Sequence, residues 1–248
     1  MSKAMIVTGG ARGIGRAVAL LAAERGWDVA ISWQRDDAAG AEVLAAIRAL
    51  GRRAVGLRGD VANEMDVIAL FDAAQRELGR IDSVIVNAGI LSQAMALAEM
   101  SAERIQRIID VNVVGALLTA REAARRLARG MDQPSAAIVL VSSAAARLGG
   151  GGNYVDYAAS KGALDTLCIG LSRELAAQNI RVNAVRPGLI ETEIHASGGN
   201  PDRAQRLAST VPLGRPGRAD EVAETILWLA SEQASYVTGA NVEVTGGR

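Results

Sequence analysis

The sequence has few of the residues that build disulfides, metal centres or aromatic clusters. Its 248 residues include one cysteine, one histidine, three tryptophans, three tyrosines and one phenylalanine. The single cysteine, Cys168, cannot form an internal disulfide, and it falls in an apolar helical pattern that predicts a buried thiol. No histidines, cysteines or paired carboxylates cluster at metal-ligand spacing, so the sequence predicts no metal site.

The sequence also has neither a net charge nor a long apolar run. Its 27 basic side chains balance 27 acidic ones, which argues against a general electrostatic attraction to nucleic acid or anionic lipid. No apolar run reaches membrane-spanning length, and no charged leader precedes the first apolar segment. We therefore expect a cytoplasmic protein that has no nucleic-acid partner and is not bound to a membrane.

What the sequence does contain is a regular alternation of short apolar runs and longer segments of helical periodicity. The strand candidates are MIVT, DVAIS, RAVGLRGD, SVIVNAG, AAIVLVSS, IRVNAVRPG and NVEVT. Between them lie six segments with apolar residues three and four positions apart. This alternation predicts βαβ crossovers and a parallel sheet with helices on both faces, hence an α/β fold. Because there is no repeat and no polar linker, we expect one domain over residues 1–248.

One irregular segment, at about 188–218, interrupts the alternation. It contains three of the five prolines and a short helical pattern. Long irregular segments beside a ligand-binding edge often close over the ligand, so we interpret this one as a lid. The only histidine, His195, falls within it and is interpreted as a surface residue, with substrate contact as the alternative.

A glycine-rich motif, VTGGARGIG, spans residues 7–15. An apolar strand precedes it, and a helix begins near Ile14. Gly9, Gly13 and Gly15 allow the backbone to turn sharply and to approach a ligand without an intervening Cβ. The helix N-terminus that follows offers unpaired N–H groups and positive partial charge to a pyrophosphate. The motif predicts a dinucleotide site at the first βα unit; a tight turn without a ligand is the alternative.

The second strand indicates which dinucleotide is bound. An acidic side chain near its end would hold the ribose 2′-hydroxyl of NAD, but this chain has the dipeptide SW there. Arg35, which follows, and Arg12, inside the glycine motif, can grip a 2′-phosphate through paired N–H groups. These residues favour NADP(H) over NAD(H), unless the strand extends far enough for Asp36 or Asp37 to take the acidic position.

Tyr157 and Lys161 are four residues apart in a segment of helical periodicity, so they share one face of the helix. An unperturbed phenol titrates at about pH 10 and transfers protons poorly near neutrality. A nearby ammonium favours the phenolate and lowers that pKa. The pair predicts a general acid/base beside a hydride-transfer cofactor; a packed tyrosine beside an exposed lysine is the alternative.

Taken in order along the chain, the motifs TGGARGIG, VNAG, SS, YAASK and RPG, with Asn112 between the second and third, resemble the short-chain dehydrogenase/reductase family. Members similar to 3-oxoacyl-carrier-protein reductase and glucose dehydrogenase share this pattern. The resemblance covers essentially the whole chain. It implies a Rossmann-type, doubly wound parallel sheet of about seven strands in a three-layer sandwich.

The resemblance also implies a catalytic group of four residues. Asn112 would kink its helix and order a proton-relay water, and Ser143 would bond to the substrate carbonyl oxygen. Tyr157 would be the acid/base, and Lys161 would hold the nicotinamide ribose while lowering the tyrosine pKa. Ser142 is the alternative to Ser143, because the spacing to the tyrosine is one residue longer than in many members.

By the same resemblance, further positions line the cofactor. Asp60 and Val61 would meet the adenine ring, and the segment after the sixth strand would close over the nicotinamide amide. The complete predicted set is Gly9, Arg12, Gly13, Ile14, Gly15, Arg35, Asp60, Val61, Asn87, Ala88, Gly89, Tyr157, Lys161, Pro187, Gly188, Ile190 and Thr192. The last strand implies a two-fold interface and a homotetramer, although Thr245 stands where an acidic residue is often found.

These features predict an NADP(H)-dependent oxidoreductase that transfers a hydride between nicotinamide and a carbonyl or secondary alcohol. The substrate is expected to be either a 3-oxoacyl group on a carrier protein or a sugar, polyol or xenobiotic ketone. One helical segment carries four arginines that would suit an acidic carrier or an ordinary solvated face: Arg121, Arg125, Arg126 and Arg129. The alternative from another class is an NADP(H)-binding regulatory protein without catalysis, against which the tyrosine and lysine pair argues.

Overall fold

The structure is a computed structural model that describes residues 2–194 and 198–248. Seven strands form one parallel sheet in the order β3-β2-β1-β4-β5-β6-β9, which confirms the predicted doubly wound α/β fold. The strands of the described residues are Ala4–Val7 (β1), Asp28–Trp33 (β2), Ala54–Arg58 (β3), Ser83–Val86 (β4), Ala136–Val141 (β5), Ile180–Pro187 (β6), Ile190–Glu191 (β7), Gly217–Arg218 (β8) and Asn241–Val244 (β9).

The order of the strands reverses between β1 and β4. Ile6 of β1 pairs with Ala30 of β2 on one side and with Val84 of β4 on the other. After β1 the chain winds outward to β2 and β3, and after β3 it crosses back to β4, β5 and β6. In doubly wound sheets, ligands bind outside the carboxyl ends of the strands at such a reversal. The glycine motif and Asn87 both stand at this point.

Helices cover both faces of the sheet. One core cluster packs α3, α5 and α7 on one face and includes Phe71, and a second cluster packs α1, α2 and α9 on the other. The central strands are buried on both faces, as their nearly continuous apolar sequences predict. The helices are Gly13–Glu24 (α1), Asp37–Ala49 (α2), Glu64–Leu78 (α3), Ala102–Ile109 (α4), Gly115–Leu127 (α5), Ala145–Leu148 (α6), Val155–Glu174 (α7), Arg203–Arg206 (α8) and Ala219–Ala230 (α9).

The long helical segment between β4 and β5 is interrupted. Helix α4 ends at Ile109, and Asp110–Val114 form a π-helical turn before α5 begins at Gly115. The N–H of Gly115 bonds to the carbonyl of Asp110, five residues earlier. A π-turn shifts the register of the side chains around the helix and often marks a functional site. It lies where the sequence predicts a kink at Asn112.

The irregular segment at about 188–218 is tied together at its two ends. The short strands β7 and β8 pair in parallel there, and α8 lies between them. A small apolar cluster packs beneath it, formed by Leu189, Ala204, Val211 and Leu207. The sequence predicts neither this strand pair nor α6, because elements of two to four residues carry no measurable periodicity. His195 lies outside the described residues.

Within the described residues, every helix is too short or too polar to cross a membrane.

Candidate active site

The glycine motif makes a tight turn from β1 into α1. Gly9 and Gly13 have positive φ angles of 67° and 54°, a conformation that residues with a Cβ rarely adopt. A Cβ on Gly15 would lie 2.3 Å from the carbonyl oxygen of Gly9, so only glycine lets α1 pack this close to the turn. The first turn of α1 has no acidic side chain of its own, and its N-terminal N–H groups and positive partial charge suit an anion.

Thr8 and Asn87 hold this turn against the end of β4. Thr8 Oγ1 accepts hydrogen bonds from the main-chain N–H groups of Asn87 and Ala88, at 3.0 and 3.1 Å. Asn87 Nδ2 donates to the carbonyls of Thr8 and Gly9, at 2.9 and 3.1 Å. Asn87 thus fixes the relative position of two strands that border the crevice. Thr8 is a functional residue that the sequence reasoning missed, and its only signal is its place between β1 and the first glycine.

Two arginines border the crevice, one in the glycine turn and one just after β2. Arg12 and Arg35 are exposed and line the crevice. Neither guanidinium has a hydrogen-bond or ion-pair partner in the part of the chain that the structure describes. Because β2 stops at Trp33, the two aspartates lie beyond the strand. Asp36 caps α2 by accepting a main-chain N–H at 2.9 Å, and Asp37 accepts the indole N–H of Trp33 at 2.7 Å.

Asp60 stands beside these arginines, at the end of β3. Its Oδ2 accepts hydrogen bonds from Gln34 at 2.7 Å and from Arg107 at 2.8 Å. Its Oδ1 accepts the N–H of Ala62 at 3.0 Å. Asp60 and Val61 line the crevice, but the carboxylate is already bonded to two side chains. Gln34 and Arg107 reach it from distant parts of the sequence, where no pattern marked them.

Tyr157 and Lys161 lie on consecutive turns of α7. Lys161 Nζ is 5.7 Å from the centre of the Tyr157 ring and donates a 2.7 Å hydrogen bond to the carbonyl of Val141. Burial lowers the pKa of Lys161 to about 8, although the charge of Asp165 opposes this shift. Lys161 lines the crevice, and among the described residues the carbonyl of Val141 is the one hydrogen-bond partner of its ammonium.

The pKa of Tyr157 differs from the sequence expectation. Burial raises it, and this effect outweighs the hydrogen bond with Ser143 and the positive charge of Arg203, which both lower it. The sequence reasoning predicted a phenol whose pKa is lowered by Lys161. The net shift is upward because desolvation penalises the phenolate more than the surrounding donors stabilise it.

The two serines after β5 have different environments. Ser142 is buried, and its hydroxyl donates a 3.0 Å hydrogen bond to the main-chain carbonyl of Lys161. Ser143 is half-buried, lowers the pKa of the neighbouring Tyr157 phenol and accepts the N–H of Ala145 at 3.1 Å. Ser142 thus fixes α7 against β5, whereas the hydroxyl of Ser143 borders the space beside the phenol. This arrangement favours Ser143 over the alternative left open by the spacing.

Asn112 is fully buried in the π-turn behind the crevice. Its Oδ1 accepts the N–H of Ile90 at 2.8 Å, and its Nδ2 donates to the Ile90 carbonyl and to Ser160 Oγ, each at 3.0 Å. A Cβ on Gly89 would lie 3.3 Å from Lys161 Nζ and 3.4 Å from Asn112 Oδ1. The absence of a side chain at Gly89 therefore leaves space between the ammonium and the amide.

A buried ion pair positions the start of α7. Arg104 of α4 contacts the carboxylate of Asp156 at 2.9 Å, and both side chains are almost fully buried. Asp156 Oδ1 also accepts the N–H of Tyr157 at 2.9 Å. The helix that leads into the π-turn is thereby locked to the residue that precedes the tyrosine. No local pattern in the sequence indicates this pair, because its members are 52 positions apart.

The segment after β6 runs from the sheet to the glycine turn. The N–H of Gly188 bonds to Val244 of β9 at 2.9 Å, and a Cβ on Gly188 would lie 2.8 Å from Thr245 Cα. Thr192 lies over the turn, with its Cβ 3.6 Å from the Cβ position of Gly13. The crevice is lined by Pro187, Gly188, Ile190 and Thr192.

A cavity of about 770 Å³ brings the predicted residues together. All of them line it except Gly15, which packs under the turn, and Asn112, which lies behind it. The cavity also includes residues to which the sequence assigned no role, among them Gln34, Arg107, Tyr154 and Arg203. Within the residues described, no group of three or more histidine, cysteine or carboxylate side chains could hold a metal ion.

The four arginines considered as a carrier-binding patch are paired within the chain. The ion pairs join Arg121 to Glu64, Arg125 to Glu122, Arg126 to Asp72 and Arg129 to Asp82. The positive charge of the four arginines is therefore largely neutralised at the surface.

The chain matches one protein family over nearly its full length. The family model described as enoyl-(acyl carrier protein) reductase matches residues 9–248. The uncharacterized oxidoreductase YgfF of Escherichia coli K12 is 49% identical over 243 residues, which is 98% of each chain. The cis-4-hydroxycyclohexanecarboxylate dehydrogenase of Sinomonas cyclohexanicum is 40% identical over 243 residues, covering 98% of this chain and 94% of the relative.

Solved structures share the whole fold. A short-chain type dehydrogenase/reductase from Mycobacterium marinum is 37% identical with a TM-score of 0.90, covering 99% of this chain and 94% of that one. A short-chain dehydrogenase from Burkholderia cenocepacia in complex with NADP is 32% identical, with a TM-score of 0.90 and coverage of 99% and 97%. The 3-ketoacyl-(acyl-carrier-protein) reductase from Brucella melitensis, complexed with NADH, is 31% identical, with a TM-score of 0.92 and coverage of 99% and 98%. This chain is an oxidoreductase of the short-chain dehydrogenase/reductase family.

Proposed function

We propose that the protein is an NADP(H)-dependent reductase or dehydrogenase that interconverts a ketone and a secondary alcohol. The observation that carries this proposal is the placement of Ser143, Tyr157 and Lys161 in the same cavity as the glycine turn. The turn suits the pyrophosphate of a dinucleotide, and the three side chains suit an oxygen that gains or loses a proton. A protein that only bound the dinucleotide would not need Ser143, Tyr157 and Lys161 together beside it.

The residues present fit a nicotinamide dinucleotide. A Cβ would crowd its neighbours at Gly9 and Gly15, and the positive φ of Gly13 disfavours a side chain there; this cradle leads into the positive end of α1. Asp60 and Val61 border the place of the adenine, and Thr192 lies over the turn. Lys161 would hold the nicotinamide ribose hydroxyls through its ammonium. When bound, the cofactor supplies or accepts the hydride.

The protein's own residues handle the oxygen and the proton. Ser143 would donate a hydrogen bond to the substrate oxygen, and Tyr157 would donate the proton to it in the reductive direction. Burial raises the pKa of Tyr157, and positive charge beside the phenol would lower it toward the range in which proton transfer is efficient. Lys161 then lies one helical turn away to return a proton. The space at Gly89, between Lys161 Nζ and Asn112 Oδ1, would hold the water that completes this route.

The preference for NADP(H) rests on charge at the end of β2. Arg12 and Arg35 have no partner among the described residues, and each can donate paired hydrogen bonds to a 2′-phosphate. Asp36 borders the cavity, but one of its carboxylate oxygens caps α2, and Asp37 accepts from Trp33, so we expect neither to act as the acidic residue that selects NAD. Solved relatives with NADP and with NADH are both known, so the support for NADP(H) comes from the side chains of this chain.

The substrate is proposed to be a small ketone or secondary alcohol rather than a carrier-bound group. The 3-ketoacyl reductase structure and the hydroxycyclohexanecarboxylate dehydrogenase support reaction at a ketone or secondary alcohol. A 3-oxoacyl thioester remains a candidate substrate, because the group that would react is also a ketone. However, the four arginines that would attract an acidic carrier protein are already paired. A sugar, polyol or xenobiotic ketone needs no such patch.

The direct test is the loss of NADPH absorbance with purified protein and a panel of acetoacetyl thioesters, diketones, quinones and sugars. NADH is run in parallel. Turnover with NADPH, at least tenfold more efficient than with NADH, is the expected result. Tight NADPH binding without turnover of any panel member would instead favour the regulatory protein without catalysis.

We also propose a homotetramer, in line with the family resemblance. Leu117 of α5 and Ile169 of α7 are large apolar side chains that are 46% and 43% exposed in the single chain, which supports burial between subunits. Light scattering should give four times the 25.7 kDa chain mass. A mass of one chain would contradict this assembly.

A further inference from the structure

A half-buried guanidinium without a counter-ion lines the substrate part of the cavity. Arg203, the first residue of α8, borders the cavity together with Tyr154 and Tyr157. No hydrogen-bond or ion-pair acceptor is bonded to its side chain in the described parts of the chain. Removing a charge from water without a partner is costly. An anionic ligand group would relieve that cost.

Tyr154 holds this guanidinium in place. The central carbon of the guanidinium lies 4.8 Å from the centre of the Tyr154 ring, within the range of a cation–π contact. Tyr154 is 4% exposed and stands immediately before α7, so the ring is a rigid platform. A guanidinium donates its hydrogen bonds in its own plane. Contact with the ring therefore leaves the N–H fork of Arg203 free to bind a planar anion.

Arg203 lies on the substrate side rather than on the cofactor side. Its positive charge is felt at Tyr157, where it lowers the phenol pKa against the larger effect of burial. Arg12 lies in the glycine turn before α1 and Arg35 follows β2, so both stand on other elements than Tyr157 and Arg203. Glu193 also borders the cavity, but its Oε2 is 3.7 Å from the Cβ position of Gly13, so it faces the glycine turn. The charge of Arg203 is thus directed at the part of the cavity that faces the phenol.

We propose that Arg203 binds a carboxylate of the substrate, and that the enzyme acts on keto acids and hydroxy acids. The carboxylate would lie on Arg203 while the reacting oxygen lies between Ser143 and Tyr157, so it belongs to a different end of the substrate. The N–H fork of a guanidinium pairs in bidentate fashion with a planar carboxylate, whose single negative charge equals the one positive charge that Arg203 supplies. This inference names the substrate class of the proposed oxidoreductase and rests on that function.

The test compares keto acids with their methyl esters in the reduction assay. The pairs are 4-oxopentanoate, 3-oxocyclohexanecarboxylate and 4-acetylbenzoate, each with its ester. For the native enzyme, kcat/KM for the best acid should exceed that for its ester by about tenfold or more, the size of a charge-assisted contact. In Arg203→Gln this acid-to-ester ratio should fall to about one. Arg206→Gln is the matched control, because Arg206 is exposed on the same helix and bonds only to Asn200 among described residues.

A second pair of variants tests the platform. Tyr154→Phe keeps an aromatic face for the guanidinium and should retain the preference for the acid. Tyr154→Leu removes it and should lower the acid-to-ester ratio at least threefold. Pairs that are not reduced are tested as inhibitors of a neutral ketone that is reduced, where the acid should compete more strongly than the ester. Loss of that difference in Arg203→Gln would support the same contact.

Two failures are distinguishable. If the native enzyme reduces neutral ketones or the esters but shows no preference for the acids in turnover or inhibition, the carboxylate site is wrong and the oxidoreductase stands. A stronger preference for dihydroxyacetone phosphate over dihydroxyacetone than for any acid over its ester would also overturn the carboxylate assignment. If no ester, acid or neutral carbonyl compound is reduced with either cofactor, the proposed function itself fails.

Discussion

Lys161 Nζ lies 5.7 Å from the centre of the Tyr157 ring and bonds to a main-chain carbonyl of β5 rather than to the phenol. The ammonium is thus positioned independently of the tyrosine, by the strand beneath it. Burial lowers the pKa of Lys161 to about 8, so its charge changes close to neutral pH. Cofactor binding should be sensitive to that charge.

We predict that NADPH affinity falls as pH rises through about 8. Below this pH the lysine is an ammonium that attracts the dinucleotide, and above it the neutral amine does not. Fluorescence titration of NADPH between pH 6 and 10 measures the effect. Lys161→Met should bind more weakly but without this pH dependence. Native affinity that is constant across pH 7 to 9 would contradict the assignment.

Arg12 and Arg35 should set the cofactor preference. Replacing either with glutamine removes one charge-assisted contact to the 2′-phosphate, so kcat/KM with NADPH should fall about 10- to 100-fold while that with NADH changes little. Arg16→Gln is the control, since Arg16 is exposed and already paired with Glu42. Equal losses with the two cofactors would mean that these arginines do not contact the phosphate.

Gly15 should not tolerate a methyl group. A Cβ there would lie 2.3 Å from the Gly9 carbonyl and 2.5 Å from Asn87 Nδ2, so the turn would have to open. Gly15→Ala should weaken NADPH binding at least about tenfold and lower the free energy of unfolding by about 1–3 kcal/mol. Gly170→Ala, on a helical face with no atom within 4 Å of the added methyl, should leave binding intact and stabilise by up to about 1 kcal/mol. Urea unfolding and fluorescence titration compare the two variants.

Alanine substitutions of the two serines after β5 should have different effects on kcat and on the free energy of unfolding. Ser143→Ala removes a donor to the reacting oxygen and should lower kcat about 10²- to 10³-fold with little change in stability. Ser142→Ala removes a buried hydrogen bond to the Lys161 carbonyl and should lower the free energy of unfolding by about 1 kcal/mol, with a smaller effect on kcat. The reverse pattern would make Ser142 the catalytic serine.

The sequence predicts the fold well because each central strand is buried on both faces. Such strands, including AAIVLV of β5, read as continuous apolar runs, and the helices between them keep a clear period. Elements that depend on contacts across the fold were missed. The two-residue strands β7 and β8 exist because they pair with each other across the lid-like segment, and no local property of either dipeptide requires this.

The candidate site also contains features that local patterns predict and features that depend on contacts between distant parts of the chain. The glycine turn is one local pattern, and the pair of Tyr157 and Lys161 is another. Residue spacing within each pattern is therefore enough to predict it. The bonding of Asp60 to Gln34 and Arg107, and the contact of Arg203 with Tyr154, join residues far apart in the chain. The pKa of Tyr157 was predicted in the wrong direction, because burial of the phenol depends on the surrounding fold rather than on its helical neighbour.

The most direct test of the account is the Tyr157→Phe variant, assayed for both NADPH binding and carbonyl reduction. The variant loses one oxygen that is needed for proton transfer but keeps the ring that packs in the cavity. We predict that the dissociation constant for NADPH stays within about threefold of the native value, while kcat falls at least about 10³-fold. Reduction at the native rate by this variant would show that Tyr157 is not the proton donor and would contradict the proposed mechanism.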